Sequence, residues 1–126
     1  PTMDPNGRKP RWCFLGDPEV VNTSPIGLAR FCTLRSWLSQ WSNEYSNADG
    51  VRCASKVTVP ALVVGNGADD ACTPGDTEAL FNALGSQDKT RATIADANHY
   101  SFGQPELLAQ SVDHCMAWLS DKGFVQ

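Results

Sequence analysis

The stretch Ala61-Leu62-Val63-Val64-Gly65-Asn66-Gly67-Ala68-Asp69-Asp70 constrains this chain more than any other. Its apolar run does not alternate with polar residues, as expected of a parallel strand covered on both faces rather than a half-solvated antiparallel one. The glycines then break the strand into a turn that carries two adjacent carboxylates. Thr73 follows as a helix cap, with Pro74 at the first helical position and Asp76 and Glu78 in the first turn. The stretch therefore predicts a strand over residues 61–66, an acidic loop, and a helix that Gly85 terminates through a C-cap.

A second strand is expected over residues 91–95, and a last helix opens at Pro105 and runs to about Asp121, closed by Gly123. Leu108, Val112, Cys115, Met116 and Leu119 fall on one face of that helix. The order strand–helix–strand–helix is a βαβ unit, whose strands pair in parallel through a right-handed crossover. Two parallel strands do not make a stable sheet by themselves, so this α/β unit is expected to complete a larger sheet supplied by another segment.

Upstream, residues 26–42 read as a helix, with Leu28, Phe31, Leu34, Leu38 and Trp41 at spacings of three and four and Trp37 widening the apolar face. Residues 43–56 read as turn-rich connection. Residues 1–25 contain five prolines and one apolar cluster, Trp12-Cys13-Phe14-Leu15, and read as an irregular lead-in that resembles the middle of a protein. The expected division is a lead-in over 1–25, a helix and connection placed to cover a pocket over 26–56, and the βαβα unit over 57–126.

Composition narrows the function classes. A net charge of −4 argues against nucleic acid or an anionic membrane surface as partner. No apolar run approaches the roughly 18 residues of a membrane span. A soluble protein is expected, with the cytoplasm favoured. The five cysteines, Cys13, Cys32, Cys53, Cys72 and Cys115, contain no C-x-x-C pair, so zinc-ribbon and thioredoxin readings find no support. Mostly buried free thiols are expected, with a Cys32–Cys53 disulfide as the alternative.

The chemistry concentrates at two strand ends. Asp69 and Asp70 follow the first strand, and Asn98-His99-Tyr100 follows the second. Side chains at the carboxyl ends of neighbouring parallel strands meet at one sheet edge. There a carboxylate can accept the histidine Nδ1–H, fix its tautomer and stabilise the imidazolium. The competing reading is capping and turn chemistry for the Asp-Asp pair; His99 at this position favours the functional one. Strand geometry selects Asp69 as the acid, and counting back from a D-x-x-x-P spacing selects Asp70.

These residues resemble a family. Leu62-Val63-Val64 running to Ala68-Asp69-Asp70 and Pro74, then Ala97-Asn98-His99-Tyr100 and a terminal helix, is similar to the C-terminal half of an α/β-hydrolase. The segment Gly27-Leu28-Ala29-Arg30-Phe31-Cys32-Thr33, continuing to Trp37-Leu38-Ser39-Gln40-Trp41, is similar to the part preceding the acid strand in some esterase-like members. The resemblance implies an acid–histidine pair serving a serine nucleophile in ester, amide or related acyl hydrolysis or transfer, without a cofactor. The chain departs from the pattern in one respect. No G-x-S-x-G elbow is present, and in the family it precedes the acid and the histidine. The implied partners are a nucleophile-bearing N-terminal segment or chain and a small acyl substrate. The alternative is a non-catalytic interaction module that kept the half-fold.

Other residues carry weaker signals. Tyr100, Trp37 and Trp41, with Trp12, could line an acyl or aromatic pocket, against core packing or contact with the rest of the sheet. A metal site from Asp69, Asp70 and His99 has a poor ligand count and spacing, so no metal is expected. Cys72 or Cys32 as a substitute nucleophile is set against an inert thiol, and His114 reads as a solvated histidine of the last helix.

Overall fold

The computed structural model describes residues 17, 19, 20, 32–42 and 44–125. The lead-in, with Trp12 and Phe14, and the first part of the expected upstream helix lie outside the described residues. Among the described residues, six bounded elements follow in order: α1 (Leu34–Trp41), α2 (Gly50–Ala54), β1 (Ala61–Asn66), α3 (Pro74–Ala83), β2 (Lys89–Ile94) and α4 (Pro105–Asp121). Helices and a two-stranded parallel sheet make an α/β arrangement.

The strands pair in parallel from Ala61 opposite Lys89 to Asn66 opposite Ile94. Because side chains alternate across a strand, Ala61, Val63 and Gly65 share a face with Lys89, Arg91 and Thr93. That face looks toward α3. A Cβ on Gly65 would lie 2.7 Å from Thr77 Cγ2, and the Arg91 guanidinium stands 3.9 Å from the Glu78 carboxylate. Helix α3 packs on β1, α2 packs on α3, and α4 packs against both strands.

The sequence signals around α3 work as read. Thr73 Oγ1 accepts the Asp76 N–H at 3.3 Å, and Asp76 Oδ2 accepts the Thr73 N–H at 2.9 Å, a reciprocal capping box with Pro74 at the first position. The helix end differs from expectation. It stops at Ala83 with Leu84 as the cap, and Gly85 holds no left-handed backbone. Gly85 is needed for a different reason: its N–H bonds the Ala54 carbonyl at 3.1 Å, and a Cβ there would collide with the Ser55 carbonyl. The glycine lets the α3–β2 turn press against the end of α2.

Strand β2 begins at Lys89, two positions before the expected Arg91. The Lys89 ammonium donates to the carbonyls of Phe81 (3.0 Å) and Leu84 (3.1 Å) and lies 5.1 Å from the centre of the Phe81 ring. A cation on the last carbonyls of α3 satisfies groups that a helix end leaves open. That interaction fixes the start of the strand.

Four other expectations change. Cys32 and Thr33 are not helical, and Thr33 Oγ1 caps α1 by accepting the Ser36 N–H at 3.1 Å, so no continuous helix crosses residues 32–34. The connection to β1 contains the short helix α2, started by Asp49 Oδ1 accepting the Arg52 N–H at 2.9 Å. Strand β1 is half-buried along most of its length rather than covered on both faces, and among the described residues it pairs on one edge only. Leu107, Ser111, Cys115, Trp118 and Leu119 form the less exposed stripe of α4, so Cys115 and Leu119 of the expected face are half-buried, while Leu108, Val112 and Met116 of that face are exposed. Helix α4 is therefore apolar on two sides. His114 is exposed, as read.

The fully enclosed apolar residues among those described are few: Ala54, Ile94 and Ala97. They mark where α2, the strand ends and the following loops converge. Replacing Gly85 by alanine should lower stability by about 1–3 kcal/mol, the usual cost of forcing atoms into a filled contact. Chemical-denaturant unfolding measures it, and an unchanged midpoint would show that the α2–Gly85 contact is not tight.

Candidate functional site: the Asp69–His99 pair

The parallel pairing continues past the ends of both strands. Gly67 N–H donates to the Ile94 carbonyl at 2.8 Å, Ala68 N–H to the Ala97 carbonyl at 3.0 Å, and the Asn66 side-chain amide to the Asn98 carbonyl at 2.9 Å. These three bonds hold the acid loop and the histidine loop side by side. Close approach sets the residue type at position 67, because a Cβ there would sit 3.2 Å from Ala95 Cα and 3.3 Å from Ile94 O.

Within this frame Asp69 meets His99. The imidazole Nδ1 lies 3.0 Å from Asp69 Oδ2 and 3.1 Å from Oδ1. Asp69 is 5% exposed, and its Oδ1 also accepts the backbone N–H groups of Ala71 (2.8 Å) and Cys72 (2.9 Å). Burial pushes the carboxyl pKa up. The hydrogen bonds from His99, Cys72 and Ala71, with the charge of an imidazolium, outweigh it and hold the group below the ordinary carboxylate range. An ionised carboxylate only accepts, so Nδ1 carries the hydrogen and the imidazole lone pair sits on Nε2.

The histidine loop is held by residues to which sequence reasoning gave no role. The Asn98 N–H donates to Gln104 Oε1 at 2.9 Å, and Gln104 Nε2 donates to the Asp96 carbonyl at 2.9 Å. Asn98 Oδ1 accepts the Phe102 N–H at 2.7 Å. Asp96 and Ser101 both take positive φ, 62° and 49°, which costs a non-glycine residue on the order of 1 kcal/mol. His99 thus rides on a turn braced from both sides. The available signal was Gln104 immediately before Pro105, at the start of a helix, where a polar side chain can turn back into the preceding loop.

The other candidates separate. Tyr100 stands beside the pair, its ring edge-on 4.2 Å from the imidazole centre, and it is largely exposed. Asp70 is half-buried in the same loop, but both carboxylate contacts to Nδ1 come from Asp69. Trp37 and Trp41 pack on each other, with ring centres 5.9 Å apart, and both are exposed. Trp41 lines a hollow of about 370 Å³ with Gln40, Ser42, Ser46, Ala48 and Asp49. No residue of the His99 loop is among those lining that hollow.

The thiols are not mostly buried. Cys32, Cys53 and Cys72 are exposed, and Cys53 is a free thiol, so the Cys32–Cys53 disulfide is not formed. Cys13 lies outside the described residues. Cys72 immediately precedes the cap of α3, and its thiol completes a cluster in which Asp69, Cys72 and His99 each place a ligand-capable atom within 4.8 Å of the others. Comparison with protein-family models, curated proteins and solved structures gives no match to the chain.

The depressed carboxyl of Asp69 sets a pH dependence. The native state binds fewer protons there than the unfolded chain, so its contribution is complete above the unfolded-state carboxylate pKa of about 3.9. It is lost as pH falls through the lower native value. At neutral pH Asp69→Asn should cost about 1–3 kcal/mol, and the gap to the parent protein should close in acid. Unfolding free energies of both proteins across the acid range test this; a constant gap would refute it.

Proposed function

We propose that this chain is the C-terminal part of a serine-dependent α/β-hydrolase that cleaves or transfers ester, amide or related acyl groups. The observation that carries the proposal is the Asp69–His99 pair, built at the carboxyl end of two neighbouring parallel strands with Nδ1 3.0 Å from a buried carboxylate. In this reading a serine from a nucleophile-bearing segment gives its proton to His99 Nε2 as it attacks the acyl carbon. Asp69 stabilises the imidazolium, and His99 then returns the proton to the leaving group. Water repeats the sequence to release the acid. Asp69 rather than Asp70 takes the acid role, and Tyr100 flanks the acyl site. No cofactor is required.

Two features support a sheet completed by further chain. Among the described residues β1 and β2 pair only with each other. The apolar stripe Leu108, Val112 and Met116 on α4 is exposed, as are Leu34 and Trp41 on α1. Surfaces of this kind suit burial against other elements. The same surfaces also favour the second reading, a non-catalytic interaction module, because the chain contains no G-x-S-x-G.

The test uses the protein together with its nucleophile-bearing segment and an activated ester as substrate. His99→Ala and Asp69→Asn should each lower kcat by about 10³–10⁴-fold, while Asp70→Asn stays near the parent rate. Retained turnover in His99→Ala would sink the mechanism, and an assembly with no hydrolysis and no reactive serine would favour the module.

A further inference from the structure

We propose that Asp69, Cys72 and His99 together form a binding site for Zn²⁺. The three residues supply one oxygen, one sulfur and one nitrogen within 4.8 Å of one another. Zinc at bond lengths of about 2.0–2.3 Å in a tetrahedron separates its ligand atoms by about 3.3–3.6 Å. The Asp69 Oδ2 to His99 Nδ1 distance of 3.0 Å is already close to that spacing. Zinc replaces the hydrogen between them, the imidazole hydrogen moving from Nδ1 to Nε2 and the Cys72 thiol releasing its proton to solvent. Cys72 is exposed, so rotation of its side chain can draw the sulfur in by the ångström or so that remains.

The backbone prepares the site. Asp69 Oδ1 accepts the N–H groups of Ala71 and Cys72, which fixes the carboxylate with both oxygens facing the imidazole and leaves Oδ2 without a backbone donor in the turn. The turn that makes those bonds also sets Cys72 three residues from Asp69 on the same loop. The braced turn at Asn98 holds His99 opposite them. Three such ligands leave a fourth position for water, as in zinc sites with three protein ligands. A thiolate in the set selects zinc over Mg²⁺ or Ca²⁺, which prefer oxygen donors alone.

This site differs from the Asp69, Asp70 and His99 set considered from sequence, because Cys72 replaces Asp70. It does not rest on the hydrolase reading. Where both hold, zinc takes Nδ1 and the Asp69 carboxylate and leaves the imidazole hydrogen on Nε2, so a zinc-loaded chain has no proton acceptor at His99.

The test is a Co²⁺ titration of the full chain followed by Zn²⁺ displacement. The expected result is a near-ultraviolet thiolate-to-cobalt band that saturates at one ion per chain, disappears on adding Zn²⁺ and withstands excess Mg²⁺. The band should be absent in Cys72→Ser and kept in Cys53→Ser. Asp69→Asn and His99→Ala should each weaken binding by at least about tenfold, a loss that removing even a supporting group causes at metal sites. No band, or one that survives Cys72→Ser, overturns the proposal. A readout on the unaltered protein guards against variants that fail to fold. Zn²⁺ should slow iodoacetamide labelling of Cys72 but not of Cys53, and labelling of Cys72 at an unchanged rate overturns the site.

Discussion

The parallel register of β1 against β2 is the constraint on which the rest depends. With Asn66 opposite Ile94, the next residues of each strand remain close enough to bond, and Gly67, Ala68 and Asn66 reach across to Ile94, Ala97 and Asn98. A slip of one residue would exchange the two faces of β2. It would carry Arg91 away from Glu78 and Lys89 away from the end of α3, and it would move His99 out of reach of Asp69. The ion pair, the lysine cap and the acid–histidine contact therefore support one another through a single alignment.

The carboxylate is where opposing forces are resolved. A buried charge without partners is expensive and tends to neutralise itself. Asp69 avoids this by accepting from two backbone N–H groups of its own loop and from the imidazole. The backbone donors belong to the turn that leads into α3, so the capping box at Thr73 helps hold the acid in place from the far end of the loop. Capping chemistry and site chemistry, rival readings of the Asp-Asp pair, use the same turn. Asp76 serves the helix and Asp69 serves the histidine.

Much of this was legible in the sequence because local signals agreed. The run Ala-Leu-Val-Val, the Thr73–Pro74–Asp76 start and the Pro105 helix are each set within a few residues, and the structure places them as read. Asp69 and His99 were legible because strand ends define where a parallel sheet can bring residues together. What stayed hidden depends on contacts distant in sequence. The reason for Gly85 lies in the backbone of Ser55, and the start of β2 lies in carbonyls of α3. The brace from Gln104 depends on a turn with two positive-φ residues that no motif announces. Helix α4 misled because it is apolar on two sides, and helical periodicity does not tell which side meets the strands.

The exposure of the pair itself bears on what it can do chemically. A general base works best where water is excluded and the charges around it act through a low dielectric. The His99 side chain is 24% exposed, and Tyr100 and Phe102 on its loop are open to solvent. Asp69 below it is enclosed. The pair is thus enclosed at the carboxylate and open to solvent at the imidazole. In the proposed reading, an element laid over Tyr100, Phe102 and the exposed part of the imidazole would lower the local dielectric and strengthen the Asp69 contact. The described residues set the geometry of the acid and histidine, and the solvent exposure of the imidazole sets the dielectric in which they act.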